Sequence, residues 1–250
     1  MTRALALALV ALMTGGCAAA FRAPTTPFPA SASRVVPWTL DRELLTHVNH
    51  RILVVVEVAA GHPPERYALD RLCTVAAHYG ERPCTWIALG RPGAPPLRFV
   101  GDRLYADGPL DRDSSLVLVR YVGNHLDMWG QSYTLTVAGH DVHVIEINQE
   151  RHRVWSWFLP ERHLEAQTLV HEYGHHLGLP PCDHGYYRDY PDFTGGAHCV
   201  NPDCALSKPR FGVLLYGLGH VLILHHWLED YCAQCRAAIA AAKAYWRSRV

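Results

Sequence analysis

Apolar and polar positions change rhythm several times along the chain, and each rhythm predicts an element. From Arg51 to Val58 the run R-I-L-V-V-V-E-V is almost continuously apolar, which predicts a central strand buried on both faces. Pro63 to Tyr79 sets Tyr67, Leu69, Leu72, Val75 and Ala76 at helical spacing and ends at Gly80, so a helix follows. Cys84 to Leu89 and Ser115 to Val122 read as two more strands. Tyr133 to Ala138 and Val142 to Asn148 alternate on either side of Gly139 and predict a hairpin. Pro160 and Glu161 then open a helix in which Leu164, Thr168, Leu169 and the stretch His171 to His175 keep helical spacing. Gly178 stops it, and Pro180 and Pro181 bar continuation. Leu40 to Asn49, Gly212 to Glu229 and Ala233 to Trp246 read as further helices. Gly90 to Asp113, rich in Pro, Gly, Asp and Arg, reads as a long surface loop. Strands with one early helix between them, followed by helices, make an α+β arrangement.

The first residues stand apart from this pattern. Arg3, an apolar stretch from Ala4 to Met13 too short to span a bilayer, and small residues after it read as a signal peptide. Thr14-Gly15-Gly16-Cys17 resembles a bacterial lipobox, which makes residues 1–17 the leader and Cys17 the lipidated residue. Cleavage near Ala18 to Ala20 is the alternative. Residues 18–37 follow as a flexible tether, since Phe21 to Pro37 is rich in Pro, Ala, Ser and Thr. Residues 38–250 form a single domain without internal repeats. The expectation is an exported monomer, held at the bacterial cell envelope by its lipid or else secreted. The formal net charge of zero removes the electrostatic case for nucleic acid.

Export changes how the eight cysteines are read, because thiols outside the cytosol pair or bind metal. Cys73 and Cys84, near a helix end and the next strand, are candidates for a local disulfide. Cys199 with Cys204 and Cys232 with Cys235 form two close pairs. Their spacings suit a second zinc held by four thiolates, or disulfides within or between the pairs. An oxidising compartment favours the disulfides. Cys182 is left to join either arrangement.

The chemistry concentrates at His171-Glu172-Tyr173-Gly174-His175, followed by Gly178. Residues four apart on a helix share a face, so His171 and His175 can present both imidazoles to one zinc ion. Glu172 is placed to act as general base, taking a proton from water. A chance match to this spacing on a metal-free helix is the bland alternative. Catalytic zinc takes three protein ligands, and a third His three residues after the Gly is absent here, where Pro181 stands. His198 and His184 are the candidates, with Asp183, Asp189 and Asp192 behind them. His176 faces another way and reads as structural or exposed. His220, His225 and His226 read as core or surface residues of an apolar helix. Tyr186 or Tyr187 could stabilise an oxyanion. Asp102, Asp107, Asp111 and Asp113 read as solvated turn residues before they read as calcium ligands.

Downstream stand His198-Cys199, Cys204-Ala205-Leu206 and Cys232-Ala233-Gln234-Cys235. Together with the helix motif they resemble the archaemetzincins, whose pattern is H-E-x-x-H-x-x-G-x-x-H-C-x4-C-x-M and then C-x-x-C. The resemblance runs from about Val142 to Arg236, with Pro181 to Ala197 as an insertion and Leu206 in place of the family's Met. It implies a zinc metallopeptidase with a twisted mixed sheet packed on the motif helix and helices at the C-terminal end. It also implies His198 as the third ligand and a structural zinc on Cys199, Cys204, Cys232 and Cys235. The expected partner is a peptide or protein substrate, added as a strand to a free sheet edge and cut as by an endopeptidase or aminopeptidase. Two other classes remain: an exported zinc-binding or structural lipoprotein without turnover, and a module that binds a partner at the sheet edge without cutting.

Overall fold

The apolar run at residue 51 forms β1 (Arg51–Glu57), and it lies inside the sheet. It pairs in parallel with β2 (Cys84–Ala88) on one side and β5 (Ser114–Val122) on the other. That position explains its composition: Ile52, Val54 and Val56 enter one core, while Leu53 and Val55 enter a second core on the opposite face. β5 pairs in parallel with β7 (His140–Asn148), and β6 (Gly130–Val137) runs antiparallel along the outer side of β7. The order β2-β1-β5-β7-β6 is therefore a mixed, mostly parallel sheet with β6 at one edge. The early helix expected between the first two strands is α2 (Arg66–Gly80), and it joins two parallel neighbours, so this part of the sheet alternates strand and helix.

The computed structural model describes residues 41–46, 49–57, 63–100, 103–122, 129–155, 160–179, 199, 204–206 and 230–249, all within one compact unit. Outside the described residues lie the leader with Cys17, the tether, Asp102, the segment holding Cys182, Asp183, His184, Tyr186, Tyr187, Asp189, Asp192 and His198, and the stretch 212–229 with His220, His225 and His226. No helix among the described residues is long and apolar enough to cross a membrane.

Helices cover one face of the sheet. They are the short α1 (Arg42–Leu45), α2, α3 (Gln149–Trp155), α4 (Glu161–His176) and α5 (Ala233–Arg247). Leu69 and Leu72 of α2 and Leu169 and Val170 of α4 are fully buried in the core beneath, each contributing about 1.5–3 kcal/mol by its burial. The opposite face carries a correction. Within the expected loop Gly90 to Asp113, β3 (Leu97–Val100) and β4 (Arg103–Ala106) pair as an antiparallel hairpin. Leu97 and Leu110 close the second core against Leu116, Leu118, Val142 and Val144. The hairpin is fastened by Arg120 of β5, whose guanidinium stacks 3.4 Å from the Phe99 ring centre. Arg120 also donates to Glu57 at 2.6 Å and to Glu146 at 2.8 Å. Asp107 accepts from Arg98, and Asp111 accepts from Arg51 and Ser114, as turn residues paired with their neighbours.

The β6–β7 hairpin turns at Ala138 and Gly139, as the alternation predicts. Both turn residues have positive φ, 51° and 78°, the backbone that a two-residue hairpin loop needs to follow strand twist. β6 begins three residues earlier than the alternation suggests, at Gly130. A Cβ there would stand 2.8 Å from Thr168 Cγ2 and 3.2 Å from Glu172 Cγ. The missing side chain lets the edge strand lie directly on α4. Cys73 falls in the middle of α2 rather than at its end, and its sulfur touches that of Cys84, the first residue of β2, at 3.0 Å with both thiols free.

Candidate active site

α4 carries the motif, and its burial is uneven in a telling way. Glu172, Tyr173, Gly174 and His176 are buried, whereas His171 and His175 are half-buried. Their Nε2 atoms stand 3.1 Å apart. His171 Nδ1 lies 2.7 Å from the carbonyl oxygen of Ala205, and His175 Nδ1 lies 3.2 Å from that of Leu179. A carbonyl can only accept, so each Nδ1 carries a proton and each ring turns its Nε2 toward its partner's. A ring protonated on Nδ1 alone presents its Nε2 lone pair, the form in which imidazole ligates a metal. Nitrogens on a tetrahedral zinc, at about 2.05 Å from the ion, stand about 3.3 Å apart. The observed separation is close to that bite, and the paired carbonyls are the outer partners that metal-ligating histidines use.

The helix stop builds half of this arrangement. Gly178 has φ +80°. Its N–H bonds to His175 O at 2.9 Å and the N–H of Leu179 bonds to Gly174 O at 3.0 Å, the paired bonds of a Schellman ending. Only a residue that tolerates positive φ makes this turn cheaply, and the turn brings the Leu179 carbonyl back over His175. Gly174 serves the other half. A Cβ there would stand 2.8 Å from Leu206 Cδ2 and 2.9 Å from Tyr231 Cε1. The bare backbone admits Leu206, fully buried, beneath the helix. Ala205, one residue earlier, thereby offers its carbonyl to His171.

Glu172 is 6 % exposed. Burial raises its carboxyl pKa, against the opposing influence of His171 and a hydrogen bond from Ser132. A carboxyl whose pKa is raised toward neutrality is suited to take up and return a proton. Ser132 Oγ donates to Glu172 Oε2 at 2.8 Å from the edge strand β6. Sequence reasoning misses Ser132 and the two carbonyls, since one hydroxyl among many and a backbone oxygen leave no signature. His176 is structural, as expected: it is buried and its Nε2 donates to Val144 O at 2.9 Å.

The late cysteines converge. The sulfurs of Cys199, Cys204, Cys232 and Cys235 all lie within 4.8 Å of one another, buried. The pairs in contact cross between the two sequence clusters: Cys199 to Cys232 at 3.7 Å and Cys204 to Cys235 at 3.8 Å. A disulfide would need about 2.05 Å. Sulfurs on a tetrahedral zinc, at about 2.3 Å from the ion, stand about 3.8 Å apart. None of the four is in a disulfide, and their separations fit the four-thiolate alternative. The Cys232 N–H also donates to Cys204 Sγ at 3.3 Å. Thiol hydrogen bonding, chiefly with Cys199, pushes Cys204 up to about 12, so metal uptake here must displace protons.

His198, His184 and the three aspartates proposed as third ligand lie outside the described residues. His198 is joined to Cys199, whose N–H bonds to Leu206 O at 2.9 Å.

No family model matches the chain, and no curated protein matches it. Among solved structures, the chain is similar to the crystal structure of archaemetzincin from Methanopyrus kandleri. The match has 15 % identity and a TM-score of 0.41, and covers 78 % of this chain and 96 % of that one. At that level of likeness, the chemistry of this chain is argued from its own residues.

Proposed function

We propose that the chain is a zinc-dependent peptide hydrolase. The observation that carries this is the pair of imidazoles on α4, with Nε2 atoms 3.1 Å apart and each Nδ1 bonded to a backbone carbonyl, beside the buried carboxyl of Glu172. His171 and His175 would hold the ion. His198 is the third ligand in this reading, supported by its bond to Cys199 and by the tie from Cys199 to Leu206. When bound, zinc supplies Lewis acidity, which polarises a carbonyl and makes water a nucleophile near neutral pH. Glu172 takes the proton from that water on the carboxylate oxygen that Ser132 leaves open, and returns it to the departing amine nitrogen. The edge strand β6, whose Ser132 reaches Glu172, supports an extended peptide as substrate.

A second ion is part of the proposal. Four buried thiols at these separations favour a soft, tetrahedral cation, in a structural role that fastens the chain around Leu206 to α5.

Metal analysis with a hydrolysis assay tests both. The parent is expected to hold two zinc equivalents and to cut internally quenched peptides. Glu172→Gln should keep both ions and lose activity by about 10²–10⁴-fold. His171→Ala and Cys235→Ser should each lose one equivalent, and not the same one. A zinc-free parent after reconstitution removes the enzyme reading. A parent that holds both ions but cuts nothing turns the reading to zinc binding without turnover.

A further inference from the structure

We infer that Ser132 is the positioning residue for Glu172, an inference that rests on the hydrolase reading above. Side chains along β6 alternate. Tyr133 and Leu135 pack on the hairpin-side core, so Gly130, Ser132 and Thr134 point the other way, toward α4. The register agrees: Ser132 lies opposite Ile145, which belongs to the helix-side core. The edge strand can approach α4 because Gly130 has no side chain. A Cβ on it would stand 3.2 Å from Glu172 Cγ and 3.0 Å from Glu146 O. Two residues further on, the same face presents a hydroxyl, and its Oγ meets Glu172 Oε2 at 2.8 Å.

The need for such a partner follows from the chemistry of Glu. Its terminal torsion is broad and roughly two-fold, so an unpinned carboxylate turns freely. Proton transfer falls off when donor and acceptor leave hydrogen-bond reach. Ser132 fixes one oxygen and thereby aims the other. A hydroxyl is both donor and acceptor. Ser132 donates while Glu172 is charged, and can accept once Glu172 has taken a proton. One side chain therefore serves both halves of the proton cycle, which an amide N–H could not. Ser132 itself is half-buried, at the border between the core and the open side of the edge strand.

The test uses the full chain loaded with zinc and the single quenched peptide that the parent cuts fastest. Ser132→Ala should lower kcat by about tenfold to a hundredfold, with KM, zinc content and melting temperature unchanged. Ser132→Thr keeps the hydroxyl and suits a strand, so it should retain most of the parental kcat. Ser132→Val has the same shape without the hydroxyl and should fall with the Ala variant. If Ser132→Ala does not fold, the Thr and Val pair carries the comparison. Equal kcat for Thr and Val variants, or a parental kcat for Ser132→Ala, overturns the inference and leaves the hydrolase reading standing. A loss confined to KM overturns it too, because it assigns Ser132 to substrate binding. A parent that cuts no peptide brings down the hydrolase reading, and this inference falls with it.

Discussion

Glu165, two turns before Glu172 on α4, offers a quantitative test of how that helix is seated. It is 4 % exposed. One carboxyl oxygen accepts from Tyr121 of β5 at 2.5 Å and from the Glu65 N–H, at the start of α2, at 3.1 Å. It joins α4 to a strand and to a second helix. Burial outweighs both hydrogen bonds and pushes its pKa from 4.5 up to about 7. A carboxyl whose folded pKa is raised binds its proton more tightly in the native state. Its contribution is therefore fully present below about pH 4.5 and is lost as the pH rises through about 7. The difference of 2.5 units, at 1.36 kcal/mol each, amounts to about 3 kcal/mol. Glu165→Gln mimics the neutral acid and keeps an oxygen for both donors. The variant should match the parent near pH 4.5 and be more stable by about 3 kcal/mol at pH 8, or roughly 6–12 °C in melting temperature. Urea unfolding of both proteins at several pH values, at one fixed zinc concentration, measures the difference directly. A parent-minus-variant difference that stays flat from pH 4.5 to 8 would refute the reasoning.

Two further predictions concern packing and redox chemistry. Gly174→Ala gains helix propensity of about 1 kcal/mol but drives a methyl into Leu206 and Tyr231, an overpacking cost of about 1–3 kcal/mol. We expect a small net loss of stability and a larger loss of zinc from the histidine site, because displacing Leu206 moves the Ala205 carbonyl off His171. Zinc titration beside thermal unfolding separates the two effects, and unchanged zinc affinity would remove the carbonyl's role. A disulfide oxidant such as oxidised glutathione should close Cys73 to Cys84, whose sulfurs already touch, with an entropic gain of about 3 kcal/mol for a loop of this length. Mass spectrometry of a peptide digest reports the bond. A Cys73 that stays reduced, while a control disulfide in the same buffer forms, excludes it.

What the sequence made legible depended on whether independent signals coincided. At α4, helical period, the His-Glu spacing and the Gly stop all mark the same sixteen residues, and the structure forms that helix with both imidazoles turned to one point. At β1, an unbroken apolar run has only one comfortable place, between two parallel neighbours. The β3–β4 hairpin was hidden because its strands are four residues long, lie among Pro, Gly and Asp, and turn only alternate residues inward. α3 was missed because seven residues are too few to show a helical period. The cysteines were legible only in part. Spacing sorts them into two close pairs and leaves open how the pairs meet, whereas the sulfurs approach across 33 and 31 residues, a distance that spacing does not encode.

The same geometry argues that the two candidate centres depend on each other. His171 is oriented by the Ala205 carbonyl, and Ala205 follows directly on Cys204. The Ala205 N–H bonds to Asp230 O at 2.9 Å. The Asp230 carboxylate in turn accepts from Tyr79 of α2 and from the Tyr231 N–H, both at 2.7 Å. Tyr231 closes the circle by donating to Val170 O on α4 at 2.8 Å, one residue before His171. The carbonyl that sets the tautomer of one imidazole is thus clamped between a four-thiol cluster and a tyrosine–aspartate relay, while the other imidazole is set by the helix's own ending. Outer partners of this kind typically alter metal affinity by about 10–100-fold when removed. A change at the cysteine cluster would reach His171 through the single residue Ala205, whose N–H and carbonyl are both tied.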